Sequence, residues 1–556
     1  MTTLAPSLDK KNNRLWWLLI ALEIVICIFV LWDVGEYSPD DAYIYLNGAR
    51  QLARGDWPNM TPGEAPTNSW ASHLWLFMIT PAFLLGINAV LWVKLLGLIF
   101  LAAVLFQISG IIRLLKPDIP KLQRWAMAGV ALSFAALVYN AISGLETIFA
   151  VFTLLFLVRL IIRDTQRGSF NVSTGLAAGL HLLARPDTFI DIGVLGLFLL
   201  YLGFSKKQSH DWKQLWKPIV GLLPAVAIYI AIHASYGTLL ASSAAAKTQY
   251  WASLFSSAPL LHLYGGIRSL FSDFASTPGN LLILLGFLAY VIGYKQSNQS
   301  EKSVPKIFFL SISAVVLAQL LKAVFINDWM RVHRLWLGVG IILLIGSILL
   351  IYRWISDERG RIATMVALCV GLASGLWGWR IHVREHFNEP NSPTEQMGEL
   401  INELRLDDSW IVVTDMGVIP YFGDIPAIDN EQPPICNRYL LENPGDSDYI
   451  WSHQVDFVVF FSITMNPISD DKPLSRANQR AIFDLPYFQE HFRPAVTAEW
   501  RPSLLVHNET HTTGRYLHLW ISDRIETPPY PPGEAWLRGH PGVDTKLIPG
   551  RVVTDY

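Results

Sequence analysis

Clusters of lysine and arginine break this chain at intervals, and between them run apolar stretches long enough to cross a bilayer. The clusters are Lys10, Lys11 and Arg14; Arg113, Lys116, Lys121 and Arg124; Arg163 and Arg167; Lys206, Lys207, Lys213 and Lys217; Lys295, Lys302 and Lys306; and Arg353, Arg359 and Arg361. Basic residues of short loops stay on the cytoplasmic side, so each cluster fixes the side of its loop. With 52% hydrophobic and only 16% charged residues, the composition excludes an ordinary soluble protein of 556 residues. A net charge of -2 leaves no basic surface for nucleic acid. Cys27, Cys369 and Cys436 lack metal-ligand spacing, and the first two lie in apolar spans as packing residues.

Placing the first cluster inside makes residues 1–14 a cytoplasmic tail and residues 15–32 a retained first span. From Arg113 onward each pair of neighbouring clusters leaves room for two spans. The turns at 140–147, 184–188, 234–278 and 326–334 are therefore expected outside, and a last span at 362–379 exports the remainder. The stretch 73–87 is short for a crossing of about 30 Å and is expected to lie at the interface. The reading is an α-helical polytopic membrane protein of about eleven spans over residues 15–379, with an outer loop at 33–72. Residues 380–556 are an extracytoplasmic α/β domain, with a helix at 395–404 and strands at 410–414 and 455–461.

Polar residues collect in the outer segments. Ser38-Pro39-Asp40-Asp41 reads as a helix start, with Ser38 as cap and Pro39 in the first helical position. The two acids suit the positive end of the helix dipole, which is also the ordinary explanation for them. Leu46, Ala49 and Leu52 form an apolar stripe and Gly55 a stop, so a helix over 39–54 is expected along the membrane surface. Asn68 follows in the same loop. Glu146 begins an apolar span, as a dipole partner or as a substrate contact. Arg185-Pro186-Asp187 marks the next outer turn, where Asp187 either caps a span or faces the site. Lys247, alone among small residues, suits a phosphate or snorkels to headgroups. Asp328, Trp329, Arg331, His333 and Arg334 crowd one outer turn against the positive-inside bias, which favours an anion site.

The order of these motifs resembles the C-fold (GT-C) glycosyltransferases, in particular the group of the mycobacterial terminal β-(1→2)-arabinofuranosyltransferase. The resemblance rests on Asp40-Asp41-Ala42-Tyr43, Thr67-Asn68 with Leu74-Trp75, Ser143-Gly144-Leu145-Glu146-Thr147, Arg185-Pro186-Asp187, Tyr236-Gly237 followed by Lys247, and Asp328-Trp329-Met330 with Arg334. It extends to Asp415-Met416-Gly417-Val418 and Asp429. Asn327 stands where the pattern has Gly, and Ser242 to Ala246 replace its Pro-Asn. The resemblance implies a bacterial cytoplasmic-membrane enzyme that takes a sugar, such as the pentose arabinofuranose, from a polyprenyl-phosphate donor. The acceptor it implies is a glycan or lipid outside the membrane. Asp40 or Asp41 would match the catalytic acid pair, Lys247 the late basic position, and Asp328 and Arg334 the outer-turn motif.

The residue chemistry is consistent with such a transfer. An acceptor hydroxyl attacking an anomeric carbon must lose a proton, which Asp40 or Asp41 could take. Lys247, Arg331, His333 or Arg334 could stabilise the phosphate that leaves, and the simplest course inverts the anomeric centre. A divalent metal could bridge Asp to phosphate, although no ligand cluster requires one. Two rival readings are a lipid transporter or flippase, which predicts charges along span interiors and repeated halves, and a non-catalytic scaffold of the same fold.

Overall fold

The computed structural model describes residues 5–35, 38–61, 63–64, 66–204, 214–237, 242, 317–318, 321–322, 334, 337–386, 392–414, 416–430, 436–443, 446–462, 477–501, 515–525 and 547–549. It is a mostly helical, multi-pass membrane protein with an α/β unit built on one end of the helical bundle.

The bundle opens with α1 (Ala5–Val34) and α2 (Asp40–Arg54), followed by two short pieces, α3 (His73–Ile79) and α4 (Pro81–Leu84). It continues with α5 (Ala89–Leu115), α6 (Lys121–Gly129), α7 (Ala135–Ile142), α8 (Thr147–Arg167), α9 (Val172–Ala184), α10 (Phe189–Phe204) and α11 (Trp216–Ser235), and later α12 (Leu337–Trp354) and α13 (Glu358–His386). Among the described residues four helical segments are long and apolar enough to cross a membrane: Asn13–Asp33, Ala89–Leu115, Trp216–Ser235 and Leu337–Trp354. Lys121–Ser133 and Ala135–Ile142 add a fifth if that pair, bent by 77°, is one broken span. The expected turns at 234–278 and 326–334 fall largely outside the described residues. At a rise of about 1.5 Å per residue, the break between α3 and α4 leaves each piece far short of a bilayer crossing. Close packing between helices is set by small residues. A side chain on Gly97 of α5 would overlap the backbone of Ala141 in α7, and one on Gly175 of α9 the backbone of Pro218 in α11.

The α/β unit begins with α14 (Pro393–Leu404). Ser392 caps it by accepting from the Glu395 backbone N–H at 3.3 Å. A six-stranded sheet follows in the order β2-β1-β3-β5-β4-β6, formed by β1 (Trp410–Val413), β2 (Ala427–Asp429), β3 (Val455–Ser462), β4 (Phe492–Arg501), β5 (Arg515–Ser522) and β6 (Leu547–Pro549). The β1–β2 and β1–β3 pairs are parallel and the others antiparallel. Strand alternation sorts the side chains into two cores. Ile411, Val413, Phe457 and Val459 join the core that runs on through α14 into the helical bundle, while Val412, Val458, Phe460 and Trp520 form a separate core on the other face. The expected helix at 395–404 and strands at 410–414 and 455–461 are present within a residue or two.

Two local expectations are corrected. Pro39, rather than Ser38, occupies the cap position of α2, and no side chain caps it. Gly55 does stop the helix, in the left-handed region at φ 89°. The second correction concerns its surroundings. Ala42 through Ala49 are all buried, because α2 is held between the bundle and the α/β unit instead of resting one face on a membrane surface. Its companion in the α/β unit is α15 (Val418–Gly423).

Candidate active site

The two adjacent carboxylates at the start of α2 have different partners. Successive residues of a helix project about 100° apart, so neighbours cannot share a face. Asp40 turns to the α/β unit, where its carboxylate accepts from the Gly417 N–H at 3.0 Å and the Val418 N–H at 2.7 Å. These are unpaired donors at the start of α15, and an anion there is favourable. The backbones approach so closely that a Cβ on Gly417 would lie 2.0 Å from the Asp40 carbonyl oxygen. Further along α2, Asn47 donates to the Gly417 carbonyl and Arg50 to that of Tyr421, while Arg50 and Arg54 both pair with Asp424.

Asp41 turns to the bundle. Its side chain is 33% exposed and meets Arg334 at 3.6 Å. Arg334 donates to Glu146 at 2.8 Å, and Glu146 accepts at the same oxygen from Arg185 at 3.1 Å. Glu146 is fully buried at the start of α8. Burial opposes its charge, but the guanidinium groups of Arg334 and Arg185 outweigh that and hold it below the ordinary carboxylate range. Arg185 also pairs with Asp187 at 2.8 Å. Asp187 is itself held well below that range, since Arg185 and Lys322 outweigh the opposing effect of burial. The chain of contacts continues inward through Lys322 to Asp191, from Asp191 to His181 at 3.1 Å, and from His181 to Thr153 at 2.8 Å. A void of about 30 Å³ sits between the polar groups of His181, Arg185, Asp187 and Lys322 and an apolar wall of Val151 and Leu154.

Asp41, Glu146, Arg185, Asp187 and Arg334 are thus brought together as the sequence suggests. Asp40 and Asn68 are employed elsewhere. The Asn68 side chain contacts His233 of α11 at 2.6 Å, and its carbonyl accepts from Ser242 at 2.7 Å. Lys247, Asp328, Trp329, Arg331 and His333 lie outside the described residues, as does Asp415. Asp429 is buried and accepts from the Cys436 N–H at 2.8 Å, a structural bond inside the α/β unit.

The sequence reading missed His181, Asp191 and Lys322. Their signals were present. His181 and Asp191 are ionisable residues inside apolar stretches on either side of the Arg185-Pro186-Asp187 turn, and Lys322 interrupts an apolar run. Ionisable groups therefore reach deeper than the turns, and Glu23 of α1, 1% exposed against Gly129, is another. Among the described residues no three His, Cys, Asp or Glu side chains converge as a metal site would need. Each acid of the network has a cationic side chain beside it.

Comparison of the whole fold with solved structures decides its class. The apo oligosaccharyltransferase of Archaeoglobus fulgidus is similar at a TM-score of 0.54, with 11% identity, over 88% of this chain and 80% of that one. The chain has the GT-C fold. Two further similar structures are the mycobacterial arabinofuranosyltransferase AftD, at a TM-score of 0.46 and 13% identity over 92% of this chain and 41% of that one, and apo ArnT of Cupriavidus metallidurans, at 0.44 and 14% over 90% and 97%. No family model matches the chain, and neither does any curated protein sequence.

Proposed function

We propose that this protein is a membrane glycosyltransferase that moves a sugar from a polyprenyl-phosphate donor to a hydroxyl of an extracytoplasmic glycan or lipid, with Asp41 as general base. The observation that carries this is the division of labour in the Asp pair. Asp40 is consumed by the Gly417 and Val418 N–H groups, whereas Asp41 keeps a third of its side chain exposed at the end of a buried charge network. A base must have an oxygen open to the proton, and although both acids are partly exposed, both carboxylate oxygens of Asp40 are taken up by backbone donors. The GT-C fold and the ordered motifs support the donor class; the bacterial cytoplasmic membrane rests on the same motif resemblance, and the outward-facing site on the distribution of basic loops.

In the reaction the acceptor O–H gives its proton to Asp41 as its oxygen bonds to the anomeric carbon. The bond from that carbon to the donor phosphate breaks, and its electron pair leaves on the phosphate oxygen. A single displacement of this kind inverts the anomeric centre. Arg334 is clamped by Glu146, so its guanidinium is already in place before charge develops on the phosphate. Lys247, Arg331 and His333 are retained as further candidates for the phosphate, and a pentose such as arabinofuranose as the candidate sugar.

The deciding experiment compares two neighbouring substitutions. Asp41→Asn is expected to lower transfer by at least about 100-fold, the scale of a lost general base, with the thermal midpoint and donor binding kept. Asp40→Asn is expected to lower stability by about 1–2 kcal/mol, as a lost helix cap does, with partial activity remaining at low temperature. Full activity in Asp41→Asn, measured with an undecaprenyl-phosphoryl sugar, would refute the assignment.

A further inference from the structure

A second cavity lies beside the catalytic face and takes no part in the chemistry above. It is a cleft of about 390 Å³ between α2, residues 54–66 and the turn after α15, lined among others by Asn47, Arg54, Asp56, Trp57, Glu64 and Asp424. That volume is within the range of small-ligand sites.

The walls are fixed before any ligand arrives. Gln51 accepts from the Asn59 N–H at 2.6 Å, and Thr61 donates to the Ala427 carbonyl at 3.2 Å, which ties the loop to α2 on one side and to β2 on the other. Trp57 presents 45% of its surface, yet its ring is backed by Tyr236 with centroids 5.5 Å apart. An indole held rigid and half open is a platform for an apolar ring face. The charges select which ring. Asp424 pairs with Arg50, Arg54 and Arg405, at 3.1, 3.3 and 3.8 Å, and Asp56 and Glu64 on the opposite wall balance the remaining charge, which leaves no net cationic field for a phosphate or carboxylate. Asp56 forms no ion pair among the described residues, and Glu64 meets His453 at 3.5 Å and the Tyr449 hydroxyl. Carboxylates beside an open aromatic face accept from hydroxyls and repel anions. The chemistry that fits is a neutral sugar, stacked by its C–H face on Trp57 with hydroxyls donated to Asp56 and Glu64.

Position sets the cleft apart from the catalytic edge. Asn47, Arg50, Gln51 and Arg54 follow one face of α2, at spacings of three and four. This is the face of Asp40, seven residues before Asn47, and it points away from Asp41; at about 1.5 Å per residue the cleft begins about 9 Å beyond Asp41 along the axis, at Asn47, and ends about 20 Å beyond it, at Arg54.

We infer that this cleft is a glycan-binding subsite separate from the catalytic edge and holds a neutral oligosaccharide, one unit of it stacked on Trp57. This rests on the glycosyltransferase reading and specifies its acceptor as a glycan chain. A lipid headgroup acceptor is an alternative outcome of the test.

The probes are linear hexasaccharides of α-(1→5)-arabinofuranose and α-(1→6)-mannose, both neutral, with hexagalacturonate as the anionic counterpart. Saturation-transfer NMR on the full chain in detergent reads binding. At least one neutral hexasaccharide is expected to bind, at least tenfold more weakly to Trp57→Ala and more weakly to Asp56→Asn, with most of the affinity kept by Trp57→Phe. Asp41→Asn is expected to bind as the unaltered protein does. Binding that ignores Trp57→Ala, tighter binding of hexagalacturonate, or no neutral binding to a chain that still takes up the donor lipid would overturn the inference. Undiminished transfer by Asp41→Asn alongside Trp57-dependent binding would instead remove the catalytic assignment and leave the cleft as a glycan site.

Discussion

At the scale of single residues, burial without a partner distinguishes one histidine from the network around Glu146. His73 is 8% exposed, its Nε2 has no hydrogen-bond partner among the described residues, and His233 packs edge-on with ring centroids 5.6 Å apart. Burial first, and the neighbouring His233 second, push its pKa from 6.5 down to about 3. The folded protein therefore keeps His73 neutral where an unfolded chain would take up a proton. The sign follows directly: above pH 6.5 nothing is lost, and stability falls as pH drops from 6.5 towards 3 because the unfolded state binds more protons. The loss should be about 1 kcal/mol per pH unit in the upper part of this window. Glu146 contributes in the same direction but only lower, since its stabilisation is lost as pH falls below its ordinary 4.5. Thermal midpoints at pH 7.5, 6.5 and 5.5 should thus decline in the unaltered protein and decline less in His73→Gln. Equal slopes in the two would show that other groups carry the acid sensitivity.

At the scale of elements, α2 shows what a sequence reading can and cannot see. Its limits, its acidic start and its glycine stop were all legible, because capping, dipole and left-handed glycine act within a turn or two of chain. Its two-sided burial was not. The apolar stripe of Leu46 and Ala49 looks the same whether it meets lipid or protein, and the partner α15 lies some 370 positions away. Only the small residues held a hint of that contact. Gly48 sits against the Trp70 ring at a spacing no Cβ would fit, and Gly417 sits likewise against Asp40. Gly417→Ala should push α15 off α2, lengthen or break both bonds to Asp40, and cost about 1–3 kcal/mol as an overpacked contact. Because Asp40 and Asp41 are neighbours on one helix, the same shift should displace Asp41. The expected result is lost transfer together with a lower thermal midpoint, whereas Asp41→Asn lowers transfer alone. Unchanged stability in Gly417→Ala would mean the α2–α15 seam is loose enough to absorb a methyl group.

At the scale of the whole molecule, the charge network binds segments that are distant in sequence into one structure. Asp41, Glu146, Arg185, Asp187, Asp191, Lys322 and Arg334 come from five regions of the chain, and each acid is paired with a base. Individual members at turns were legible from the sequence because charge there opposes the positive-inside trend. The pairing was not, since a local window cannot tell which turn faces which. Lys322 tests whether this network is held together by its charge balance. It is 3% exposed and pairs with both Asp187 and Asp191, so Lys322→Met leaves two buried carboxylates short of one cation. Removing one partner of a buried pair costs about 3–5 kcal/mol, chiefly through the charge left behind. Lys322→Met with Asp191→Asn removes one charge of each sign and should recover most of that loss. Arg185 still pairs with Asp187, and Arg334 still pairs with Glu146, so the double variant should also keep the Asp41 end of the network and with it transfer. A double variant as unstable as Lys322→Met alone would mean that Lys322 acts through its packing. A stable double variant without transfer would mean that the inner half of the network tunes the site at Asp41, a role that contact geometry alone does not assign to it.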